Sequence, residues 1–349
     1  MAVTIHDVAR SAQLSVSTVS RAFTMPELLR TETRERVLQV ADRLGYRPNR
    51  AARGLITGRT GNIGVIVPDL ANPFFPSVLK GAQARAREAD YAVFLSDTDE
   101  DPRAEADLIR AMAKQVDGVV LCSSRMSATQ LEAILGLTSL VFLNRRVADA
   151  PAVLMDSAGG MRQAVDHLVA LGHRRCVYLN GPRNSWSNRE RRRGLKTAAR
   201  RGLEVVELGP FAPRFEAGLH AADLALAEGV TAILAYNDLM AFGVLSRLND
   251  RQVDVPGEVS VLGFDDIAMA AMCTPPLTTV AMPSEQAGRV AVDLLVGLLG
   301  SARDAAAGGD GDRRELPTQL IVRGSTSTAP QPRRARRVRS GRSSESEGE

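Results

Sequence analysis

The sequence predicts an α/β protein, in which a small helical N-terminal domain precedes a body of two doubly wound subdomains. Three observations lead to this prediction: the length of 349 residues, the periodicity of the first sixty residues, and an alternation of apolar strands and helices from Asn62 onward. At about 150 residues per domain, such a chain folds as two or three domains. Its 44% of hydrophobic and 24% of charged residues are typical of a globular protein.

The first sixty residues have the spacing of short amphipathic helices. Apolar residues follow the i, i+3, i+4, i+7 pattern of one helix face at Ile5, Val8, Ala9 and Ala12. Thr4 and Asp7 resemble a capping box at the start of this helix. Further helices are predicted at 15–23, with Ser15 as N-cap, at about 31–44, and at 50–56. Two short helices joined by a tight turn are typical of a helix-turn-helix.

From Asn62 to residue 264 the pattern changes to strands and helices in alternation. Apolar strands are predicted at 62–68, 91–96, 118–122, 140–143, 176–180 and 259–264. Helices are predicted between them, at 74–89, 102–114, 127–135, 159–171 and 188–201. Continuous apolar strands separated by helices indicate parallel sheets covered on both faces. Residues 300–314 are predicted to be a flexible connection, and residues 329–349 a disordered basic tail.

Charge is distributed unevenly, although the formal net charge is only +4. Residues 1–60 hold ten arginines and five acidic residues, and residues 331–349 hold six arginines and three glutamates. Residues 61–330 therefore carry a net charge of −4. Basic ends on a mildly acidic body indicate that the ends contact an anionic polymer.

We expect a cytoplasmic protein with no membrane partner. The first residues have neither the basic nor the apolar region of a signal peptide, and no apolar run approaches the roughly 18 residues that span a bilayer. Cys122, Cys176 and Cys273 lie far apart, which excludes a disulfide framework and a cysteine-based zinc site. Widely spaced cysteines suit a reducing compartment.

Longer stretches resemble a known family of regulators. The head reads VTIHDVARSAQLSVSTVSRAF and TETRERVLQVADRLGYRPNRAARGL, and the body contains GNIGVIVPDLANPFF, YNDLMAFGVL and VSVLGFDD. Over residues 3–328 the chain resembles the lactose/galactose repressor (LacI/GalR) family, except that Gln13 replaces a usual turn glycine. The resemblance implies a helix-turn-helix DNA-binding domain at 1–49 and a hinge helix and linker at 50–60. It also implies a periplasmic-binding-protein-like body at 61–328, which binds an effector and dimerises.

The second helix is expected to lie in the major groove of a pseudo-palindromic double-stranded operator, contacted by a homodimer. Val16 can contact a thymine methyl group, Ser17 can bond either class of base, and Arg21 suits guanine. These positions match the base-reading positions of the family. Candidate phosphate contacts, which set register without reading sequence, are His6, Ser15, Thr18 and Asn49. The resemblance implies that Leu55, with the small Ala52 beside it, is inserted into the minor groove as an apolar wedge.

Ligands of doubly wound sheets bind at the carboxyl ends of the strands. The candidates at those ends are Asn72, Phe74, Phe75, Asn144, Asp156, Ser185, Trp186, Ser187, Arg189, Arg191, Asn237 and Asp265. The resemblance implies that Arg191 and Asp265 bind the effector and that Phe74 forms an apolar wall. Asp238 suits a helix cap as well as a ligand contact. Carboxylates, amides and an arginine suit a polyhydroxy ligand, while an acidic or phosphorylated sugar and a stacked purine remain alternatives.

Motifs of common enzyme classes are absent from the sequence, which contains no P-loop, GxSxG, HExxH or CxxC. With four histidines, of which only His167 and His173 lie close together, metal or histidine catalysis has little support. We therefore expect a sequence-specific transcriptional regulator without cofactor or metal, a repressor that a small carbohydrate-type effector releases from its operator. A purine-dependent corepressor mode, a soluble sugar-binding protein and an enzyme are the alternatives.

Overall fold

The structure, a computed structural model, describes residues 3–47, 59–301 and 313–330. The expected hinge helix, with Ala52 and Leu55, and the expected phosphate contact Asn49 lie outside the described residues.

The head consists of three helices around a small core. The helices are α1 (Ile5–Ala12), α2 (Val16–Thr24) and α3 (Thr31–Leu44). The carboxylate of Asp7 accepts hydrogen bonds from the backbone N–H and the hydroxyl of Thr4, at 3.0 and 2.7 Å, which confirms the capping box. Gln13, in the turn, has φ +52°. A side chain in this left-handed region costs free energy that glycine avoids. Gln13, which replaces the glycine usual in the family, therefore strains the turn.

The first subdomain is built on a six-stranded parallel sheet in the order β11-β5-β4-β3-β1-β2. Its strands are β1 (Asn62–Val67), β2 (Ala92–Asp97), β3 (Gly118–Cys122), β4 (Ser139–Leu143), β5 (Ala152–Met155) and β11 (Arg313–Leu316). The helices that cover it are α4 (Phe74–Glu88), α5 (Pro102–Met112), α6 (Ala128–Glu132) and α11 (Ser284–Ser301).

The second subdomain repeats this plan in the order β12-β10-β9-β8-β6-β7, in which only β12 runs antiparallel to its neighbour. Its strands are β6 (Arg175–Leu179), β7 (Glu204–Leu208), β8 (Ala232–Ala235), β9 (Ser260–Asp265), β10 (Thr278–Ala281) and β12 (Gln319–Ile321). Its helices are α7 (Ser157–Ala170), α8 (Trp186–Leu195), α9 (Phe215–Ala227) and α10 (Asp238–Asp250).

The structure differs from the sequence prediction where distant segments meet. Arg313 and Arg314, expected in a flexible connection, begin strand β11 and pair with β5. The helix expected at 188–201 ends at Leu195, and a short 3-10 turn follows at Ala199–Arg201. Helix α11 follows the last parallel strand of the second sheet but packs on α4 of the first subdomain. The chain therefore returns to its first subdomain after it has built most of the second.

Two glycines allow α4 and α11 to pack closely. A Cβ on Gly81 would lie 1.9 Å from the carbonyl oxygen of Glu285, and a Cβ on Gly288 would lie 2.0 Å from that of Val78. No real side chain tolerates such distances, so both positions require glycine for the two backbones to touch. The returning helix is thereby fixed on the first subdomain.

Candidate functional site

The outward face of α2 carries most of the residues expected to contact DNA. His6, Ser15, Ser17 and Arg21 are exposed, and Val16 and Thr18 are half-buried. The opposite face of α2 buries Val19 and Ala22 in the core of the head. Val16 packs partly against the same core, so only part of its side chain faces outward.

Ser15 begins α2 as its N-cap. Its Oγ accepts a hydrogen bond from the Thr18 N–H at 3.1 Å and lies 2.8 Å from the hydroxyls of both Ser17 and Thr18. Three hydroxyls thus gather at the positive end of one helix, with Arg21 exposed one turn further on. Such a helix end offers donors to phosphates or to base edges.

A cleft between the two subdomains holds a cavity of about 20 Å³. The described residues that line it are Asn72, Phe74, Phe75, Glu100, Ser123, Arg125, Asn144, Ser187, Arg191, Pro213, Tyr236 and Asp265. A cavity of about 20 Å³ holds about one water molecule and is far smaller than small-molecule sites of about 300–1,000 Å³. The two subdomains are therefore closed on each other in this structure, and a ligand of monosaccharide size enters the cleft only when they separate.

The first subdomain supplies a polar and an aromatic wall. The amide oxygen of Asn72 accepts the Phe74 N–H at 3.1 Å at the start of α4. Phe74 and Phe75 meet edge to face, with ring centroids 5.1 Å apart. Asn144, directly after β4, adopts φ +53° and its amide oxygen accepts the Met155 N–H at 3.2 Å. The amide NH₂ groups of both asparagines are thereby oriented by bonds to their oxygens.

Glu100 and Arg125 form a buried ion pair on the same side of the cleft, which the sequence reasoning missed. Arg125 donates Nε and Nη2 to the two carboxylate oxygens of Glu100, the second at 2.9 Å, and Nη1 to the carbonyl oxygen of Ser123 at 2.9 Å. Burial disfavours the guanidinium charge, but Tyr236, the facing carboxylate of Glu100 and Glu105 together outweigh this effect and raise the pKa of Arg125.

Glu105, at the start of α5, fixes the backbone of Arg125 and thereby positions the ion pair. Its Oε2 accepts the backbone N–H of Arg125 at 2.9 Å. Burial raises the pKa of the Glu105 carboxyl group, an effect that the neighbouring Ser124 hydroxyl and the Arg125 N–H only partly oppose.

Arg191 and Asp265 form the facing pair in the second subdomain. Arg191 donates Nη1 to the carbonyl oxygen of Tyr236, and its Nη2 lies 3.3 Å from the Asp265 carboxylate. The guanidinium stacks 3.9 Å from the ring centroid of Phe264 and 4.5 Å from that of Tyr236. Its Nε is buried and has no partner. A ligand with an acceptor oxygen would satisfy this donor.

Burial acts strongly on the acidic groups of this wall. Burial raises the pKa of Asp265 to about 6, and the Arg191 charge only partly opposes it. Burial, followed by the charge of Asp265, raises the pKa of Asp238 well above its ordinary value. Asp238 accepts hydrogen bonds from the Thr279 hydroxyl at 2.6 Å and the Ile267 N–H at 2.9 Å. It therefore joins α10 to the sheet, and it is not among the lining residues.

Contacts between the subdomains hold the cleft closed at its rim. Arg214 of the second subdomain bonds Asp99 and lies 3.4 Å from Asp69, both of the first subdomain. The amide nitrogen of Asn184 donates to the carbonyl oxygen of Arg125 at 2.7 Å. Because these bonds cross the cleft, opening it breaks them.

Five of the expected effector residues lie outside the lining. Asp156, Ser185 and Asn237 are N-caps, whose side-chain oxygens accept backbone N–H groups at the starts of α7, α8 and α10. Trp186 is half-buried at the start of α8, where exposed Arg189 stacks 4.1 Å from its ring centroid. The other seven come together in the cleft.

The five lining residues that were missed are Glu100, Ser123, Arg125, Pro213 and Tyr236. The strand-end rule could have found some of them, since Ser123 directly follows β3 and Tyr236 directly follows β8.

The described residues contain no metal-binding cluster, and Cys122, Cys176 and His173 have structural surroundings. No group of three or more His, Cys, Asp or Glu side chains within them could hold a metal ion. Burial raises the pKa of both Cys122 and Cys176 to about 12, so neither thiol ionises near neutral pH. His173 is fully buried between Thr231 and Ser327, at 2.8 and 3.1 Å, which is a structural role. Within the described part of the chain, no helix has the length and apolarity to cross a membrane.

Two family models match the chain. Residues 4–49 match the bacterial regulatory proteins of the lacI family, and residues 165–326 match a periplasmic binding protein-like domain. The HTH-type transcriptional repressor CytR of Escherichia coli (strain K12) is 34% identical over 340 residues, which cover 94% of this chain and 98% of that protein.

Solved structures agree with this relationship. A Lac repressor dimer bound to operator and the anti-inducer ONPF superimposes with a TM-score of 0.80 at 28% identity, covering 94% of this chain and all of that chain. A LacI family transcriptional regulator from Enterococcus faecalis V583 with bound ribose gives a TM-score of 0.68 at 27% identity, over 76% of this chain and 99% of that chain.

Proposed function

The chain belongs to the lacI family of bacterial regulatory proteins, and from this premise we propose that it is a repressor controlled by a small carbohydrate-type molecule. Residues 1–49 form the DNA-binding domain, 50–60 the hinge and linker, and 61–328 the effector-binding and dimerisation body. Operator binding places the protein in the cytoplasm, where bacterial DNA lies. Like its relatives it is a DNA-binding regulator, and we propose no enzymatic activity.

The reading surface of the head is the outward face of α2 from Val16 to Arg21. Ser17 and Arg21, both exposed, contact base edges in the major groove, with part of the Val16 side chain beside them. Ser15, Thr18 and His6 contact the phosphate backbone and set the register. Outside the described residues, Asn49 adds a phosphate contact, and Leu55, with Ala52, bends the operator.

The observation that carries the effector proposal is the buried Nε of Arg191, which has no acceptor and belongs to a residue that lines the cleft. An unsatisfied buried donor costs free energy, about 1–3 kcal/mol, until a ligand oxygen accepts from it. The relative from Enterococcus faecalis holds ribose, a molecule with several such oxygens. Binding of a similar ligand favours one arrangement of the subdomains, and thereby changes the spacing of the DNA-binding heads.

A homodimer explains the apolar side chains that both subdomains expose. Met272 is 77% exposed beside Phe242 and Leu245, in a groove of about 550 Å³, and Phe94 and Leu95 are exposed on the edge strand β2. The related Lac repressor binds its operator as a dimer. We propose that a second copy covers these side chains.

Operator release tests the effector assignment. A fluorescent operator is first selected from random double-stranded DNA with the full-length protein, and its affinity is then measured by anisotropy with neutral sugars. We expect at least one sugar to lower the affinity, and Asp265→Ala to bind the operator but to ignore that sugar. Asp250→Ala, which removes an exposed carboxylate from the end of α10, is the control. A purine base that instead raises operator affinity overturns the inducer assignment.

Substitution of Met272 by Asp tests the dimer. We expect light scattering to show monomers and operator affinity to fall, because a single head contacts one half-site. Leu224→Asp, which alters an equally apolar and 53% exposed residue of α9, should stay dimeric. A dimeric Met272→Asp variant contradicts the proposed interface.

A further inference from the structure

Each subdomain presents one buried arginine–carboxylate pair to the cleft. In the first subdomain, Arg125 bonds both oxygens of Glu100, and its guanidinium and the carboxylate are 3% and 17% exposed. In the second, Arg191 bonds Asp265, and the two side chains are 3% and 9% exposed. The four residues are the charged members of the lining described for the cleft, and their formal charges cancel.

The hydrogen bonds of these pairs leave a defined set of unused groups. Arg125 has a protein acceptor at each of Nε, Nη1 and Nη2, which leaves only the second N–H of each terminal nitrogen unused. Arg191 has one acceptor at Nη1 and one at Nη2, which leaves its buried Nε and the second N–H of each terminal nitrogen as open donors. Each carboxylate oxygen can accept more than one hydrogen bond. A ligand therefore matches the two pairs when it supplies O–H donors toward both carboxylates and oxygen acceptors toward the remaining N–H groups of the arginines.

A phosphate or carboxylate group on the ligand is poorly complementary to the two arginine–carboxylate pairs. It offers acceptors only, and it brings a second negative charge toward Glu100 or Asp265 in a site of low exposure, where like charges repel strongly. Neither arginine has unopposed charge to compensate for it, since each is already neutralised by its own carboxylate. Hydroxyl groups, in contrast, both donate and accept, so they satisfy the carboxylates and Arg191 together.

We infer that the effector is an uncharged polyhydroxy molecule, and that Glu100 and Asp265 determine specificity by excluding its phosphorylated and acidic forms. This inference rests on the proposed carbohydrate-controlled function and narrows it to one chemical class. The edge-to-face rings of Phe74 and Phe75 complete the site with an apolar surface for the carbon skeleton.

Matched probe pairs test the inference on the full-length protein. Thermal-shift assays compare D-ribose with D-ribose 5-phosphate, D-glucose with D-glucose 6-phosphate, and D-galactose with D-galacturonate, and calorimetry then measures the affinity of each probe that shifts the melting temperature. We expect the neutral member of a pair to bind more tightly than its anionic partner, by about tenfold or more.

Glu100→Gln then removes the negative charge and keeps the side-chain shape. Because Arg125 becomes unopposed, the preference for the neutral member should fall by about tenfold. Glu132→Gln, an exposed carboxylate at the end of α6, is the matched control and should keep the wild-type ratio. If Glu100→Gln does not fold, the inference is tested by the ratio of the affinities for neutral and anionic probes, measured for Asp265→Asn and for the wild type.

The outcomes distinguish the exclusion of anionic ligands from the carbohydrate-controlled function itself. An anionic probe that binds the wild type as tightly as its neutral partner overturns this inference and leaves the carbohydrate-controlled function standing. A wild-type preference for neutral probes that Glu100→Gln and Asp265→Asn both leave unchanged overturns the roles of these residues. If no neutral or anionic sugar shifts the melting temperature or releases the operator, the proposed carbohydrate effector fails and this inference fails with it.

Discussion

Asp265 gives the second subdomain a pH dependence of stability that a substitution can isolate. Burial raises the pKa of this carboxyl group to about 6, above its ordinary value of 3.8. The folded protein therefore binds the proton more tightly than the unfolded chain does. Stability is then greatest at low pH, where the group is protonated in both states, and falls as the pH rises from about 4 through about 6.

The size of the effect follows from the two pKa values. The difference between about 6 and 3.8 corresponds to about 3 kcal/mol, which is lost once the carboxylate is ionised in both states. Asp265→Asn keeps the shape of the side chain but cannot ionise. Relative to this variant, the wild type should lose about 3 kcal/mol of unfolding free energy between about pH 4 and about pH 7.

Urea unfolding followed by tryptophan fluorescence measures this difference. Trp186 is the single tryptophan of the chain and lies on α8, the helix that carries Arg191. Its signal therefore reports on the subdomain that contains Asp265. Asp250→Asn, at an exposed position, should follow the wild type at every pH. A wild type that gains stability over Asp265→Asn as the pH rises would show that the ion pair with Arg191 outweighs burial.

Three further substitutions, the last with a control variant, test other parts of the molecule. Arg21→Ala should cost about 1–3 kcal/mol of operator binding and relax base preference; unchanged preference in a selection from random DNA would contradict the assignment of α2. Leu55→Ala should weaken operator binding more than binding to random DNA in parallel titrations, since a wedge acts only on kinked DNA; equal losses would make 50–57 a plain linker. Gly81→Ala should lower stability to urea by about 1–3 kcal/mol because its Cβ would meet the Glu285 backbone. Gly297→Ala, where a Cβ meets no atom within 4 Å, should instead raise it by about 0.5–1 kcal/mol; similar effects of the two glycine variants would refute the close helix contact.

The head could be predicted from the sequence because its signals are local. The capping box at Thr4 and Asp7, the cap at Ser15 and the apolar spacing each act within one or two turns of helix. The cleft was predictable in part, since residues after strand ends gather at one edge of a parallel sheet. Phe74 and Arg191 were found in this way.

The expectation that residues after strand ends bind the ligand fails where such a residue is also the N-cap of the next helix. The side chains of Asp156, Ser185 and Asn237 turn back to accept backbone N–H groups, and so they serve the helix and not the cleft. The sequence gives no sign of this choice, because a cap and a ligand contact use the same residue types. Glu100 was not predicted because it lies in the loop between β2 and α5, where no periodic pattern indicates which side chains face the cleft. Its backbone has φ +64°.

The return of α11 and β11 to the first subdomain affects how the protein forms on the ribosome. Strands β1 to β5 emerge first, but the helix that buries Val292 and Leu295 against them begins only at Ser284. At about 5–20 residues per second, the apolar face beneath α11 remains uncovered while more than a hundred later residues are synthesised. The DNA-binding head, whose core residues lie between Ile5 and Tyr46, is complete long before the sensor it serves. Nascent chains therefore hold a finished reading head beside an unfinished sheet, and chaperone binding is expected at that sheet.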